Sequence, residues 1–447
     1  MAESTVLTGW GRTQAARAQL ERPGDVAEVL AHLTREAAPR GVIARGLGRS
    51  YGDPAQIAGG VVLDLTGLDA IGPVDAATGE VVVGGGASLD QLLVAVIPQG
   101  WFVPVTPGTR QVTIGGAIAA DIHGKNHHVD GSFSAQVRRI VLATPTGLRT
   151  CGPDLDPALF WATAGGMGLT GIVVEATVRL LRIESSKVLV DTDRFSDLDT
   201  LMAAMVEGDA RYRYSVAWVD CMTRGNRLGR GVLTRGDHAP AGTDELVPPS
   251  PARLAVPMAA PSGLLNRASI AAFNEAWFRR APRHEVAKPE RLGAFFHPLD
   301  GVANWNLLYG ARGFLQYQLA VPDTASHAVR QAMEQLSSAG VPSFLAVLKR
   351  FGPGNAAPLS FPQAGWTLAL DLPIGPRQLP GLLDALDQLV ADVGGRIYLA
   401  KDSRLRPELV PQMYPNLSTL RAVKAEVDPE GLLTSDLARR LRLLEEP

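Results

Sequence analysis

The sequence predicts an α+β protein of two domains, one of mixed structure and one built on an antiparallel sheet. Its 447 residues exceed what a single hydrophobic core usually organises. Up to about residue 182, short β-rich runs alternate with amphipathic helices, whereas later strands are separated by longer helices. We therefore expect a first domain over residues 1–184 and a second over residues 185–395.

The first domain contains two small α+β units. Asp25 and Glu28 resemble a capping box for a helix beginning at Val26, and Ser88 and Gln91 form one for a helix that stops near Pro98. Strands are predicted at residues 41–45, 61–65 and 80–86. The second unit is predicted to contain a hairpin around residues 146–147, a helix at 157–166 and a strand at 171–181.

The second domain is predicted from apolar runs with strand character. These runs cover residues 214–220, 314–322, 342–349 and 366–373, with helices at 325–339 and 378–393. Between residues 236 and 261 the chain is dense in proline and small residues, which predicts a long mobile loop. Its apolar part, residues 254–265, is too short and proline-broken to span a bilayer. A plain surface loop is the simpler interpretation, and lipid contact is the alternative.

Composition excludes several classes of protein. A net charge of −2 with 20% charged residues gives no basic tract for nucleic acid. Cys151 and Cys221 have no disulfide or zinc spacing. The start "MAESTVLTGWGRT" lacks the features of a signal peptide, and no stretch reaches the length of a membrane span. These features predict a soluble chain.

A glycine-rich turn, "RGLGRSYGD", follows the strand at 41–45. Gly46, Gly48 and Gly52 are spaced one residue wider than the dinucleotide fingerprint. Pro54 and Gly59 then occur where a Rossmann fold needs a helix, which argues against that fold. A loop whose backbone amides point inward as an anion nest is the alternative that remains.

Two further glycine-rich loops strengthen this interpretation. One, at residues 104–128, carries Gly108, Gly115 and Gly116 beside Thr109 and Thr113, whose hydroxyls can donate to phosphate or ribose oxygens. The other is "GGMGLTG" at residues 165–171. Three such loops predict a long ligand held along its whole length.

These stretches carry a resemblance to a known family. "RGLGRSYGD", "PGTRQVTIGGAIAADIHGKNHH", "FWATAGGMGLTGI", "FLQYQ" and "AKDSR" resemble, in order, the decaprenylphosphoryl-β-D-ribose 2-oxidases, a branch of the vanillyl-alcohol-oxidase-type flavoproteins. The resemblance covers nearly the whole chain. It implies a PCMH-type FAD-binding domain interrupted by the substrate domain, with residues 396–447 returning to the first domain.

The resemblance and the loops together predict a cofactor site. "GRSYG" contains no histidine where other members of the superfamily tether FAD, which predicts non-covalent FAD. The predicted FAD-binding residues are Arg45, Gly46, Leu47, Gly48, Arg49, Ser50, Tyr51, Gly52, Gly108, Thr109, Thr113, Gly115, Gly116, Ala120, His123, Gly168, Ile172, Tyr398 and Lys401.

Flavin oxidation of an alcohol needs a cation near the reduced ring and a base for the hydroxyl proton. We assign the cation to Lys401, expected at the end of an apolar strand, with Tyr398 against the ring; an ordinary surface lysine is the alternative. His123 and Lys125 are placed beside flavin and substrate phosphate, with His123 a candidate proton acceptor, although the identity of the base stays open.

Zinc is the alternative interpretation of the histidines clustered in "HGKNHH", but no acidic or cysteine ligand accompanies them, and we predict no metal. Gln316 and Gln318 share one face of a strand, and Lys349 was placed at the end of another. That face is either solvated or covers the flavin; in the second case it holds ribose and phosphate together with Tyr51. The resemblance supports the second placement for Gln318 and Lys349.

The predicted catalytic set is Lys401, His123, Tyr51, Gln318, Lys349 and Lys125. Ala369 stands where some relatives have cysteine, which predicts a pocket without a nucleophilic thiol.

The resemblance implies oxidation of the ribose 2-hydroxyl of a polyprenyl-phosphoryl sugar. A partner reductase would complete epimerisation to the arabinose donor for cell-wall arabinan. A quinone-like molecule is one candidate electron acceptor. We also expect peripheral contact with the cytoplasmic or periplasmic face of the cell membrane. The alternatives are an alditol or aldonolactone oxidase and a non-catalytic polyprenyl-phosphate-binding protein.

Overall fold

The computed structural model describes residues 3–242, 245–261 and 263–445. The strands are β1 (Glu3–Thr8), β2 (Ala15–Glu21), β3 (Val42–Arg45), β4 (Val61–Asp64), β5 (Ile71–Asp75), β6 (Glu80–Gly84), β7 (Trp101–Phe102), β8 (Val137–Thr144), β9 (Gly147–Cys151), β10 (Ile172–Arg179), β11 (Leu181–Arg182), β12 (Lys187–Phe195), β13 (Tyr214–Val219), β14 (Gly231–His238), β15 (Leu254–Ala255), β16 (His284–Arg291), β17 (Val302–Ala303), β18 (Phe314–Pro322), β19 (Ala346–Phe351), β20 (Gly365–Pro373) and β21 (Arg396–Ile397).

The helices are α1 (Val26–Ala31), α2 (Leu89–Val96), α3 (Ile114–Ala119), α4 (His127–Asp130), α5 (Pro157–Thr163), α6 (Leu198–Gly208), α7 (Arg267–Arg280), α8 (Leu292–Phe296), α9 (His327–Ala339), α10 (Leu379–Asp392), α11 (Val410–Met413), α12 (Leu417–Val427) and α13 (Asp436–Arg440).

Two sheets form the amino-terminal half. One has the order β1-β2-β4-β3, with parallel pairs around β4, and the other is antiparallel with the order β5-β6-β10-β8-β9. The β8–β9 hairpin confirms the predicted turn at residues 146–147. In the capping box of α2, the Ser88 hydroxyl accepts from the Gln91 amide and the Gln91 side chain accepts from the Ser88 amide. At α1 only half of the box forms, because Glu28 accepts from Gly24 instead of Asp25.

The carboxy-terminal half is built on an eight-stranded antiparallel sheet. Its order is β16-β12-β14-β13-β19-β20-β18-β21, and α9 and α10 pack together beside it. The four predicted strands and both predicted helices are present, whereas β12, β14 and β16 were not predicted. Together the sheets and helices confirm an α+β fold with an antiparallel sheet in its second half.

Several boundaries differ from the sequence prediction, among them the start of β19 at Ala346 instead of residue 342. Helix α5 ends at Thr163, three residues early, where Ala164 turns to extended backbone. The expected loop at 236–261 begins only after His238, because residues 231–238 pair with β12 and β13. It also contains β15, parallel to β17; residues 243 and 244 lie outside the described part of the chain.

The chain's last segment connects both halves. β21 pairs with β18, so residues 396–397 still belong to the eight-stranded sheet. Beyond it, the Val42 amide donates to the Leu432 carbonyl at 3.0 Å, and the Thr434 amide donates to the Val42 carbonyl at 3.1 Å. These contacts support a return to the first domain, whose limits at 184 and 395 stay a prediction.

Candidate active site

The first glycine loop leaves several of its main-chain amides without an acceptor among the described residues. The Trp10 and Gly11 amides donate to the carbonyls of Ser50 and Tyr51 on the loop's other side. Within the part of the chain that the structure describes, the amides of residues 47–50 have no acceptor. Gly48 has a φ of +64°, which supports the reversal of direction that a nest needs. The loop therefore leaves main-chain donors available to an anionic ligand.

Side chains hold this loop from outside. The Arg45 guanidinium donates to the carbonyls of Ala55 at 3.0 Å and Thr8 at 2.7 Å. A Cβ at Gly46 would lie 2.2 Å from the Thr113 hydroxyl, so this glycine lets the first loop touch the second. Arg49 lies over the Trp10 ring, 3.9 Å from its centroid. The predicted roles of Leu47, Ser50 and Gly52 in FAD binding stay predictions.

The second loop leads into the short helix α3. Thr113 caps it, its hydroxyl accepting from the Gly116 amide at 3.2 Å. Gly108 borders open space, since an added Cβ would meet no atom within 4 Å. The Thr109 hydroxyl, expected to be available to a ligand, instead donates to Asp300 at 2.6 Å. The Gly115 amide likewise donates to Gly85.

The third loop packs on the end of α3. The Gly165 and Met167 amides donate to Ile118 and Ala119, and Gly168 has a φ of +79°. Ala120, the residue after α3, accepts a hydrogen bond of 2.8 Å from the Tyr398 hydroxyl. The Ile172 side chain is fully buried in the core, so only its main chain is available to a ligand.

Strand register places the polar residues of the second half on one sheet face. In β18 and β20, Gln316 lies opposite Asp371 and Gln318 lies opposite Ala369. Lys349 in β19 lies opposite Thr367, within the strand rather than at its end as predicted. Paired residues of an antiparallel sheet share a face. The three strands therefore present one polar surface.

This surface faces the glycine loops and not bulk solvent. The Gln316 amide donates to the Tyr51 hydroxyl at 3.1 Å and to Asp371 at 2.5 Å. The Gln318 amide contacts His123 Nε2 at 2.9 Å and Thr367 at 3.1 Å, and Gln318 is only 3% exposed. The solvated-face alternative is therefore wrong.

Lys401 lies in a turn directly after β21, so its predicted place at a strand end is wrong. The turn is fixed to the first loop by a 3.0 Å bond from the Tyr51 amide to the Ala400 carbonyl. The Lys401 ammonium lies 4.1 Å from the centroid of the Tyr51 ring. Burial lowers the pKa of Lys401 to about 7, with Asp371 raising it and Lys349 lowering it. A lysine in this environment is not an ordinary surface residue.

Two more lysines face the same cleft. Burial lowers the pKa of Lys349 to about 8, and its ammonium has no hydrogen-bond partner in the described ranges. Burial, followed by repulsion from Lys349, lowers the pKa of Lys125 to about 7; its ammonium donates to the Phe295 carbonyl. Mutually repelling cations that lack enough carboxylates are stabilised by a bound anion.

His123 is enclosed by the rings of Phe351, Phe361 and Tyr398 at centroid distances of 4.8–5.5 Å. Burial, with Lys349, His127 and Lys401, lowers the pKa of His123 well below its ordinary value. With Gln318 donating to Nε2, the ring proton is on Nδ1, a buried atom with no partner in the described chain. Its acceptor nitrogen is already engaged, which disfavours the predicted role as base.

The other two histidines of the cluster have different contacts. The His127 ring is tilted against Phe351, with centroids 4.6 Å apart, and His128 Nε2 contacts the Tyr212 carbonyl at 2.9 Å. Across residues 3–242, 245–261 and 263–445, no three His, Cys, Asp or Glu side chains form a group that could hold a metal ion.

Sequence reasoning missed two features of the cleft. Asp371 is fully buried, and burial raises its pKa to about 7. The hydrogen bond from Gln316 and the charge of Lys401 act in the opposite direction and lower this pKa. The Arg440 guanidinium donates two hydrogen bonds of 2.7 and 2.9 Å to the Asp53 carboxylate and one of 2.8 Å to the Asp402 carboxylate. These bonds link the first loop to the Lys401 turn. The only sequence signal for Asp371 was a lone carboxylate in an apolar strand.

These features fit a cofactor that combines a diphosphate with a flat ring. Free main-chain amides and the open space at Gly108 suit the diphosphate, and the orphaned Nδ1 of His123 and the Lys401 ammonium are available to the ring's polar edge. The arrangement is that of a flavin-binding protein. Consistently, residues 15–152 match the family described as FAD binding domain, and FAD is the cofactor.

Comparison with known proteins identifies the branch. The chain is 44% identical to the decaprenylphosphoryl-beta-D-ribose oxidase of Mycolicibacterium smegmatis, across 98% of this chain and 97% of that protein. It is 40% identical to an uncharacterized protein of Streptomyces coelicolor over 80% of this chain and all of that one. It is 27% identical to cytokinin dehydrogenase 10 of Oryza sativa over 35% of this chain and 30% of that one. The chain belongs to the decaprenylphosphoryl-β-D-ribose oxidase family.

Proposed function

We propose that this protein is an FAD-dependent oxidoreductase that converts the ribose 2-hydroxyl of decaprenylphosphoryl-β-D-ribose to a ketone. The observation that carries the proposal is the sheet face of Gln316, Gln318, Lys349 and Asp371, which closes over the glycine loops. It offers cations for a phosphate and amides for sugar hydroxyls.

Lys349 and Lys125 are proposed to bind the substrate phosphate. Lys349 lies 5.9 Å from the Phe351 ring centroid but has no hydrogen-bond or ion-pair partner in the described chain. Both amines gain their full charge when an anion offsets their repulsion. Gln318 and Tyr51 orient the ribose: Tyr51 accepts from Gln316 and keeps its own proton for a ligand oxygen. Burial, with Asp371, holds the pKa of Tyr51 well above its ordinary value, so this phenol stays neutral.

When bound, FAD supplies the two-electron oxidant for the sugar carbon. Lys401 provides the positive charge that stabilises negative charge developing nearby. Asp371 is proposed as the acceptor of the hydroxyl proton, since its pKa of about 7 suits a base at neutral pH and its carboxylate lies in the network of Gln316 and Tyr51. His123 is the alternative acceptor, available only if Gln318 releases Nε2.

Anaerobic mixing of the holoprotein with polyprenyl-phosphoryl ribose tests the reaction. The yellow absorbance of oxidised flavin is expected to bleach in one turnover, with a 2-keto sugar as product. Bleaching by free alditols or aldonolactones, with steady peroxide formation in air, would favour the alditol oxidase alternative. If the purified protein shows no flavin absorbance in the visible spectrum, the alternative of a non-catalytic polyprenyl-phosphate-binding protein is favoured. Acid precipitation should release the flavin, because its binding is non-covalent.

The proposal includes partners. A keto sugar on a lipid carrier needs a reductase to complete epimerisation, and a quinone-like molecule is proposed to reoxidise the flavin. A lipid-linked substrate also calls for contact with one face of the cell membrane. No helix among residues 3–242, 245–261 and 263–445 is long and apolar enough to cross a bilayer.

A further inference from the structure

Large apolar side chains are concentrated on α7 and the segment before it. The exposed fractions are 67% for Leu254, 73% for Met258, 53% for Leu264 and 46% for both Phe273 and Trp277. Phe273 and Trp277 are one helical turn apart and stack on each other at 6.1 Å. We call residues 253–261 and 263–283, which include α7, the α7 surface. Exposed apolar side chains grouped in one segment are typical of an interaction site.

The α7 surface is also strongly basic. Residues 253–283 contain five arginines, at positions 253, 267, 279, 280 and 283, and one acidic residue, Glu275, a net charge of +4 in a chain whose net charge is −2. Glu275 is itself paired with Arg230 and Arg279. Arg280 and Arg283 have no carboxylate partner within the ranges described. Such a surface is complementary to a polyanion.

A cavity of about 280 Å³ lies beside this surface. Leu265, Tyr309 and Ile374 line it together with Arg267 and Arg312. Tyr309 stacks on Phe314 at 4.0 Å, and its hydroxyl lies 3.4 Å from Asp371. One aromatic ring therefore separates the cavity from the candidate active site.

We propose that the α7 surface docks the protein on an anionic lipid bilayer, with its apolar side chains in the interfacial region and its arginines on lipid phosphates. Combined apolar insertion and basic charge is how peripheral proteins gain stable membrane binding. A second copy of this chain fits less well, because a symmetric contact would bring two surfaces of the same charge together. The choice of lipid also rests on the proposed function, whose substrate is lipid-linked.

Sedimentation of the holoprotein with vesicles tests the proposal. Binding is expected to phosphatidylcholine vesicles containing phosphatidylglycerol, and much less to phosphatidylcholine alone. Leu254→Ser with Met258→Ser, and separately Arg280→Glu with Arg283→Glu, should each weaken binding about tenfold or more. Leu155→Ser is the matched control, since Leu155 is 54% exposed in the other half of the molecule; its binding should be unchanged.

Equal vesicle binding by wild type and both double variants would overturn the proposal, as would absence of binding by the wild type. A change of oligomeric state in the variants, seen by light scattering, would assign the surface to a second copy instead. Flavin reduction by a short-prenyl, water-soluble substrate without vesicles separates this proposal from the proposed function. The variants should keep that reduction, whereas its absence in the wild type would contradict the function and leave the vesicle result standing.

Discussion

The two halves of the cleft bind their ligands by different means. The glycine loops offer main-chain amides, fixed by glycines and by outward side chains such as Arg45. The sheet face offers side chains, three of which have pKa values moved toward neutrality by burial: Lys349, Asp371 and Lys401 in the adjoining turn. We infer that the first half holds a cofactor of fixed chemistry and the second carries out and selects the reaction.

The largest effect is expected from Asp371→Asn, which removes the proposed proton acceptor without changing its shape. Flavin reduction by substrate should slow by about 10²–10⁴-fold, the usual contribution of a general base. FAD content should stay at the wild-type level because the loops are untouched. Stopped-flow measurement of the flavin reduction rate checks both expectations. A rate within a few-fold of the wild-type rate would contradict the role of Asp371 and favour His123 as the proton acceptor.

Lys401→Met should slow reduction by about 10²–10³-fold, the range expected when a preorganised electrostatic group is lost. Substrate binding should persist, since the phosphate is held elsewhere. Single-turnover kinetics across substrate concentrations separate the two effects. A change confined to apparent affinity would remove Lys401 from the chemistry.

The pH profile distinguishes these two groups. Asp371, with a pKa of about 7, must be ionised to accept a proton, so the rate should fall as pH drops below about 7. Lys401, also with a pKa of about 7, must be protonated, so the rate should fall as pH rises above it. The coupled pair therefore predicts a bell-shaped profile centred near neutrality. Asp371→Asn should lose the acid limb, and Lys401→Met the alkaline limb; an unchanged profile in both would contradict the assignment.

Lys349→Met should weaken binding of the lipid-phosphate substrate about ten- to a hundredfold, the value of a charge-assisted hydrogen bond. A phosphate-free ribose analogue should bind the variant and the wild type alike. Apparent dissociation constants from reduction kinetics provide the comparison. Equal losses for both compounds would leave Lys349 without a phosphate role.

Gly108→Val tests the main-chain half. The added side chain meets no protein atom within 4 Å, so the apoprotein should fold normally while FAD binding weakens about tenfold through overlap with the ligand. Gly381→Val is the matched control, because Gly381 also borders open space but lies on α10. Flavin content after gel filtration measures the difference. Full FAD content in the Gly108 variant would place the ligand elsewhere.

Local signals in the sequence predicted much of the first half. The Ser88–Gln91 capping box and the glycine-rich turn at residues 46–52 each depend on residues a few positions apart in the sequence. The structure contains both the capping box and the turn, in which Gly48 has a positive φ. Asp371 was missed because its importance depends on strand register, which pairs it with Gln316 55 residues away. Lys401 was assigned to a strand because "IYLA" is apolar, although the strand ends at Ile397 and the apolar residues after it are buried by tertiary packing.

The crystal structure of the protein with FAD bound tests the central claim most directly. The diphosphate is expected within hydrogen-bond distance of the amides of residues 47–50, with the flavin ring between Lys401 and the face of Gln316 and Gln318. A diphosphate held away from that loop, or a ring that leaves the sheet face in contact with solvent, would contradict it.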